Sequence, residues 1–99
     1  MKFLDIREEA ELDIIEAAMW YESEREGLGL EFSREVDNTV GRIAENPLLF
    51  QEREPGTRMA MVDRFPYGIY FIDEPSKVTL FGVLHLHRNP EAWKRRRPE

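Results

Sequence analysis

The spacing of the apolar residues changes once along the chain, and this change restricts the folds that the chain can adopt. From residue 8 to residue 45, apolar residues recur every three or four positions, which is the period of an amphipathic helix. From residue 57 onward they recur at every second position, which is the period of a strand. Helices followed by a run of strands are typical of α+β proteins. We therefore predict a helical hairpin packed on one face of an antiparallel sheet, with the opposite face partly open.

The helical region is interrupted by Gly27 and Gly29, which predicts two helices joined by a turn. These helices are predicted over Glu8–Arg25 and Leu30–Glu45, and the second ends at Asn46-Pro47 because the residue before a proline avoids the α region. The predicted buried face of the first helix contains Ala10, Ile14, Ala17, Ala18 and Tyr21, widened by Leu12, Ile15 and Met19, with Trp20-Tyr21 as a core anchor. The predicted solvated face contains Glu8, Glu9, Glu11, Asp13 and Glu16.

One short strand precedes the helices and three strands follow them. The first is predicted over Lys2–Ile6, the next begins at Thr57, and the last two cover Gly68–Asp73 and Lys77–His87. The last strand is apolar on both faces as far as its histidines, which favours a central position in the sheet. One of its faces is predicted to carry Val78, Leu80, Gly82, Leu84 and Leu86, and the other Thr79, Phe81, Val83, His85 and His87. The apolar segment Leu48–Phe50 is expected to fill a gap under the hairpin.

Length and composition exclude several classes of protein. A length of 99 residues predicts one domain, over residues 1–99, with the element order β-α-α-β-β-β. The absence of cysteine excludes thiol catalysis and zinc–thiolate sites. No apolar run approaches the roughly 20 residues of a membrane span, and the N-terminal segment Met1–Asp5 reaches a charge, at Asp5, too soon for the apolar region of a signal peptide. A cytoplasmic location without membrane contact is expected, and the lack of a glycine-rich phosphate loop or paired carboxylates predicts no cofactor.

The charge of −6 is distributed unevenly between the two halves of the chain. Residues 1–54 contain 15 acidic and six basic residues, for a net charge of −9, whereas residues 55–99 contain five acidic and eight basic residues, for +3. An acidic protein binds nucleic acid weakly, because backbone affinity comes from neutralising phosphates. The acidic half favours either a solvated surface or a basic partner.

Cations and aromatic residues cluster where the strands of the basic half end, which is where a small domain commonly contacts its target. The predicted target-contact residues are Arg58, Arg64, Tyr67, His85, His87, Arg88 and Trp93. His85 and His87 are two positions apart on a strand and are expected to share a face. They are compatible with an acid/base pair, with two metal ligands, or with a polar strand edge, and a contact role is favoured. No third ligand is close in sequence, so no metal is expected.

The arginines of this half have two interpretations. Arg58 and Arg64 are six positions apart on one predicted strand face, and with Arg88 they are compatible with a clamp for phosphate or carboxylate. They are equally compatible with a solvated strand edge. The basic tail Lys94–Arg97 is expected to be disordered, whereas Trp93 is expected to fold a terminal turn against the domain.

The chain resembles the RelE/ParE superfamily of toxins from bacterial type II toxin–antitoxin modules, and within it the ParE-like, plasmid-stabilisation branch. Five blocks in order carry the resemblance: Ala10-Glu11 with Trp20-Tyr21-Glu22; Gly27-Leu28-Gly29-Leu30-Glu31-Phe32; Ile43-Ala44-Glu45-Asn46-Pro47; Arg64-Phe65-Pro66-Tyr67 with Ile69-Tyr70; and Leu84-His85 with Arg88-Asn89-Pro90 and Trp93. The resemblance implies the β-α-α-β-β-β fold. It also implies inhibition of growth, and a cognate antitoxin whose C-terminal segment wraps the toxin and docks a helix on the helical hairpin.

The superfamily contains two activities, and the resemblance alone does not choose between them. RelE-like members cut messenger RNA, whereas ParE-like members poison DNA gyrase without being nucleases. The nuclease branch commonly has Arg-Leu-Val-Tyr in its middle strand, where this chain has Tyr67 in the arginine position. One nuclease type has a C-terminal tyrosine where this chain has Trp93, and two lysines where this chain has Arg58 and Ala60.

These departures, together with the acidic charge, favour a non-enzymatic ParE-like inhibitor of DNA gyrase. The alternative is a metal-independent endoribonuclease that uses His85 or His87 as acid or base and Arg58, Arg64 and Arg88 on phosphate. A degenerate toxin that only binds its antitoxin is a third possibility.

Overall fold

The computed structural model describes residues 2–88 and 90–98, so that Asn89, a member of one matched block, lies outside the described residues. The strands are β1 (Phe3–Ile6), β2 (Glu52–Glu54), β3 (Thr57–Met61), β4 (Tyr67–Asp73) and β5 (Lys77–His85). The helices are α1 (Glu8–Glu24), α2 (Leu28–Glu45) and α3 (Ala92–Arg96), with a single 3₁₀ turn at Pro47–Leu49. The α+β class and the helical hairpin on one face of a sheet are confirmed. No helix of the described ranges is both long and apolar enough to cross a bilayer.

The sheet is mixed rather than antiparallel, and this corrects the sequence prediction. Its strand order is β1-β5-β4-β3-β2, in which the last four strands pair antiparallel and β1 pairs parallel with β5. The additional strand β2 has only three residues and no apolar alternation, so the sequence pattern did not reveal it. It adds one reversal of chain direction before β5, and β5 consequently runs in the same direction as β1.

A bulge in β5 overturns the predicted alternation of its faces. Tyr70 pairs with Gly82 while Phe71 pairs with Leu80, so Phe81 is an extra residue on β5. As a result Val83 packs with Leu80 in the core beneath the helices, although simple alternation places them on opposite faces.

The hairpin packs on the sheet through a cluster of aromatic rings. Tyr21 of α1 lies 5.3 Å from the ring of Phe32 and 4.8 Å from that of Phe65. Gly29 lies inside the first turn of α2, and a Cβ there would approach the carbonyl oxygen of Ala18 to 2.6 Å. The hairpin can therefore close tightly only with glycine at this position.

The basic tail is ordered, which corrects the prediction of disorder for Lys94–Arg97. Ala92–Arg96 forms α3, and Trp93 is 6% exposed and stacks on Tyr70 at 5.5 Å. The predicted docking of a terminal turn through Trp93 is confirmed. The tail is ordered because its cations find fixed acceptors, among them Asp13 for Arg96 and the Pro55 carbonyl for Arg97.

Several apolar residues that were predicted to be buried are exposed. Leu48 and Leu49 are 66% and 75% exposed, so only Phe50 of this segment packs against the core. Trp20 is half exposed although its neighbour Tyr21 packs inside. The residues that were expected to widen the buried face of α1, Leu12, Ile15 and Met19, are exposed as well.

Candidate functional site

Three of the predicted contact residues meet in a cleft where β5 ends beside α1. We call it the β5-end cleft; its volume is about 290 Å³ and its lining includes Asp13, Glu16, Trp20, Tyr67, His85 and Arg88. The guanidinium of Arg88 lies 5.5 Å from the centre of the Trp20 ring, a cation–π contact. Tyr67 is mostly buried, and burial raises the pKa of its phenol.

His85 holds the turn that follows β5. Its Nδ1 accepts hydrogen bonds from the backbone N–H groups of His87 and Arg88, at 3.1 and 3.2 Å. An imidazole that accepts at Nδ1 is neutral and carries its proton on Nε2. Burial lowers the pKa of His85, with further lowering by the nearby charge of Arg88 and by His87. Because Nδ1 is bonded to the backbone, Nε2 is the ring nitrogen that remains available to bind another molecule or to exchange a proton with it.

Asp13 closes the edge of β5 that β1 does not reach. The pairing of β1 with β5 ends at Leu80, and three residues further along β5 the carboxylate of Asp13 accepts a hydrogen bond from the N–H of Val83, at 3.0 Å. Arg96 of α3 donates to both carboxylate oxygens of Asp13, at 2.9 and 2.8 Å. Asp13 is thus a partly buried structural link between α1, β5 and α3, and its prediction as part of the solvated face was wrong.

His87 and Trp93 line a different site on the opposite side of the sheet. This sheet groove has a volume of about 560 Å³ and an apolar floor that includes Met59, Tyr70 and Trp93. Lys94 at its rim lies 3.8 Å from Glu54 and 3.2 Å from Glu91, so its charge is compensated within the chain. The imidazole centroids of His85 and His87 are 5.8 Å apart, but β5 ends at His85 and the two residues line separate sites.

Arg58 and Arg64 join neither site. Arg58 donates to the carbonyl oxygen of Phe50 at 2.7 Å. Arg64, whose φ of 71° is unusual for a residue with a side chain, bonds Glu31 at 2.6 Å and lies 3.5 Å from Glu35. The hydrogen bond from Arg64 lowers the pKa of Glu31. The three arginines of the proposed clamp therefore do not converge. Within the described residues, no three His, Asp or Glu side chains are placed to hold a metal ion.

The outer face of α1 carries a surface that the sequence did not distinguish from the core. We call it the outer stripe; it consists of Leu12, Ile15 and Met19, which are 49%, 53% and 67% exposed. These positions are three and four residues apart and lie opposite the buried residues Ala10 and Ala17. Because α1 is apolar on both faces, helical periodicity assigned all of its apolar residues to one broad buried face.

Comparisons with known proteins identify the fold. No protein-family model and no curated protein matches the chain. A solved structure described as "Chromosomal ParDE TA system from P. aeruginosa" superposes with a TM-score of 0.74 at 16% sequence identity. The match covers 86% of this chain and 96% of that chain. The α+β fold of this protein is therefore that of a chain from a ParDE system.

Proposed function

We propose that this protein is the toxin component of a type II toxin–antitoxin system, neutralised by a cognate antitoxin. The observation that carries the proposal is the shared fold with a chain of the P. aeruginosa ParDE system over 86% of this chain. The five matched sequence blocks are an independent support, since they concern residue identities and not the path of the backbone. The outer stripe adds a third, because an exposed apolar helix face is a common docking site for a partner helix.

Within that class, we propose that the toxin acts by contact with a protein, DNA gyrase, and not as a nuclease. In-line RNA cleavage needs an acid, a base and free cations around one phosphate. Here Arg64 is bound to Glu31, Arg58 to a backbone carbonyl, and Lys94 to Glu54 and Glu91. The net charge of −6 also disfavours approach to the dense phosphates of a ribosome.

Growth and target assays test this proposal directly. Expression of the chain alone should arrest growth, and purified protein should cause gyrase-dependent DNA cleavage while leaving translated messenger RNA intact. RNA cleavage that is lost in His85→Ala or His87→Ala would establish the endoribonuclease alternative instead. Unimpaired growth and inactivity in both assays, with retained antitoxin binding, would identify a degenerate toxin.

A further inference from the structure

The end of α2 and the turn between β4 and β5 border a pocket that contains none of the residues predicted to contact a target. We call it the β5-start pocket, because it lies beside Val78 at the opposite end of β5 from the β5-end cleft. Its volume is about 570 Å³, and small-molecule sites typically have volumes of roughly 300–1,000 Å³. Its lining is partly apolar and includes Pro47, Leu48, Pro75 and Val78.

The walls of this pocket are held in place by the fold. The backbone N–H of Glu74 bonds to the carbonyl of Lys77 at 2.9 Å and closes the β4–β5 turn. Phe50, directly after the 3₁₀ turn, packs against the core. Val78 is buried, whereas Leu48 projects from the 3₁₀ turn and is exposed. The pocket therefore has a fixed floor and one open apolar wall, as is usual for a preformed ligand site.

Two carboxylates border the pocket, and one of them is already bound to an ammonium group of the chain. Nζ of Lys2 lies 2.6 Å from Oδ1 of Asp73, whose side chain is mostly buried. Glu45 forms no ion pair with any described residue. Among the described residues that line the pocket, Lys2 is the only basic one. The lining is therefore negative overall, even with one cation present.

The end of α2 adds further negative potential. Pro47, two residues after the helix ends, has no N–H to donate to its last turn. The N–H of Leu49 bonds to the carbonyl of Asn46, at 3.2 Å, and not to that of Glu45. Unpaired carbonyl groups at a helix C-terminus carry partial negative charge and favour cations. Arg42, the basic residue of this last turn, does not line the pocket and leaves this preference in place.

We propose that the β5-start pocket binds a small amphipathic amine, in which a primary ammonium is joined to an apolar body about the size of one aromatic ring. The ammonium bonds to the carboxylate of Glu45 and to the carbonyl groups at the end of α2, and the apolar body packs on Val78 and Leu48. The pair between Lys2 and Asp73 is an intramolecular example of the same recognition.

The charges of the pocket disfavour other classes of ligand. An anionic molecule would meet two carboxylates, and a purely apolar one would leave the carboxylate of Glu45 without a counter-charge. Because the pocket contains none of the predicted target-contact residues, the proposal does not depend on the proposed function.

Three probes of nearly equal size test the preference for an ammonium: phenethylamine, phenethyl alcohol and phenylacetate. Each is titrated into the isotope-labelled chain while the backbone amide signals are followed by NMR. Phenethylamine should shift the amide signals of Ala44, Ser76 and Val78, with a dissociation constant on the order of millimolar, as expected for so small a ligand. The alcohol should bind at least about fivefold more weakly because it lacks the charge, and the acid should leave these signals unchanged.

Two charge variants should change the affinity for phenethylamine in opposite directions. Glu45→Gln keeps the shape of the pocket and removes its unpaired charge, and should weaken the amine about threefold while leaving the alcohol unchanged. Lys2→Met removes the ammonium that competes for Asp73, and should tighten the amine by a similar factor. Asp37→Asn is the matched control, since this exposed carboxylate lies two turns earlier on α2, outside any ion pair of the described residues. It changes the net charge by the same amount as Glu45→Gln and should leave both affinities unchanged.

A fourth variant tests the apolar wall. Leu48→Ser changes an exposed side chain, so the fold should be retained, and it should weaken the amine and the alcohol alike. Equal affinities for the amine and the alcohol, or no binding of phenethylamine up to its solubility limit, would overturn the proposal. Equal weakening of the amine by Asp37→Asn and Glu45→Gln would also overturn it, because that result describes attraction of a cation to an acidic protein and not a site.

Discussion

The β5-end cleft and the outer stripe lie on two sides of the same helix, and they differ in whether their side chains already have partners. In the cleft, Asp13 is bound to Val83 and Arg96, and Trp20, although half exposed, makes a cation–π contact with Arg88. In the stripe, Ile15 and its neighbours face solvent. The charged and aromatic residues that stand out in the sequence are therefore largely used to hold the fold together. The aliphatic residues that look like ordinary core are the ones left available for a partner.

Replacing Asp13 should produce the largest loss of stability in either region. Asp13→Ala removes both hydrogen bonds to Arg96 and leaves the N–H of Val83 without its acceptor. Breaking a partly buried charge pair of this kind costs about 2–4 kcal/mol in free energy of unfolding. Urea denaturation of the purified protein measures the change.

Glu16→Ala is the matched control, one helical turn away on the same helix and outside any ion pair of the described residues. It should change the free energy of unfolding by less than about 0.5 kcal/mol. Equal effects of the two substitutions would show that the Asp13–Arg96 pair does not link the helix to the sheet, and would remove the distinction between the two regions.

Replacing His85 should have the next largest effect and should depend on which atoms are kept. His85→Leu leaves the N–H groups of His87 and Arg88 without their acceptor, at a cost of about 1–2 kcal/mol. His85→Asn places an amide oxygen near the position of Nδ1 and should recover much of that loss. Thermal or urea unfolding at neutral pH compares the two. If His85→Asn destabilises the protein as much as His85→Leu, the hydrogen bonds that His85 accepts from the turn do not contribute to stability.

The hydrogen bonds that Nδ1 of His85 accepts also predict that the free energy of unfolding depends on pH. Because the pKa of His85 is lower in the folded protein than its ordinary value near 6.5, the unfolded state binds more protons at mildly acidic pH. Stability from this residue is present above the unfolded pKa and is lost as the pH falls below it. The groups beside the imidazole are Tyr67 on β4 and His87 and Arg88 in the turn, and Asp13 and Glu16 on α1 line the same cleft.

Unfolding measured between pH 7 and pH 5 should show a decline in stability for the unmodified chain that is smaller in His85→Asn. Since His87 is also present, His87→Asn serves as the comparison and should leave most of the decline in place. An identical pH profile for His85→Asn and the unmodified protein would show that protonation of His85 does not open the turn.

The fold was largely predictable from local patterns, but the site was not, and particular residues show why. Helical periodicity located both helices because Gly27 and Asn46-Pro47 interrupt it clearly. The bulge at Phe81 and the parallel pairing of β1 depend on contacts between distant strands, which alternation cannot report. The role of Asp13 depends on Arg96, which is 83 positions away. A lone aspartate on a helix carries no sequence signal for such a partner.

Replacing Arg88 should lower the free energy of unfolding by less than replacing Asp13 or His85. Arg88→Ala loses the cation–π contact with Trp20, which is worth about 0.5–1 kcal/mol at an exposed site. A double-mutant cycle with Trp20→Leu isolates the pairwise energy from the cost of each substitution alone. Arg95→Ala, an exposed arginine of the tail, provides a control for the loss of positive charge. A coupling energy of zero would place Arg88 among the residues that are free to contact a target.

The smallest effect on stability is expected in the outer stripe, where two adjacent isoleucines allow a direct comparison. Ile14 packs against the core and Ile15 is 53% exposed, so the same substitution tests both faces of α1. Ile14→Ala should cost about 2 kcal/mol, whereas Ile15→Ala should change stability by less than about 0.5 kcal/mol, because alanine favours the helix and little packing is lost. Binding of the proposed antitoxin should respond in the opposite order, with the larger loss in Ile15→Ala. A large loss of stability in Ile15→Ala would mean that the stripe is part of the fold, and the argument that it awaits a partner would then fail.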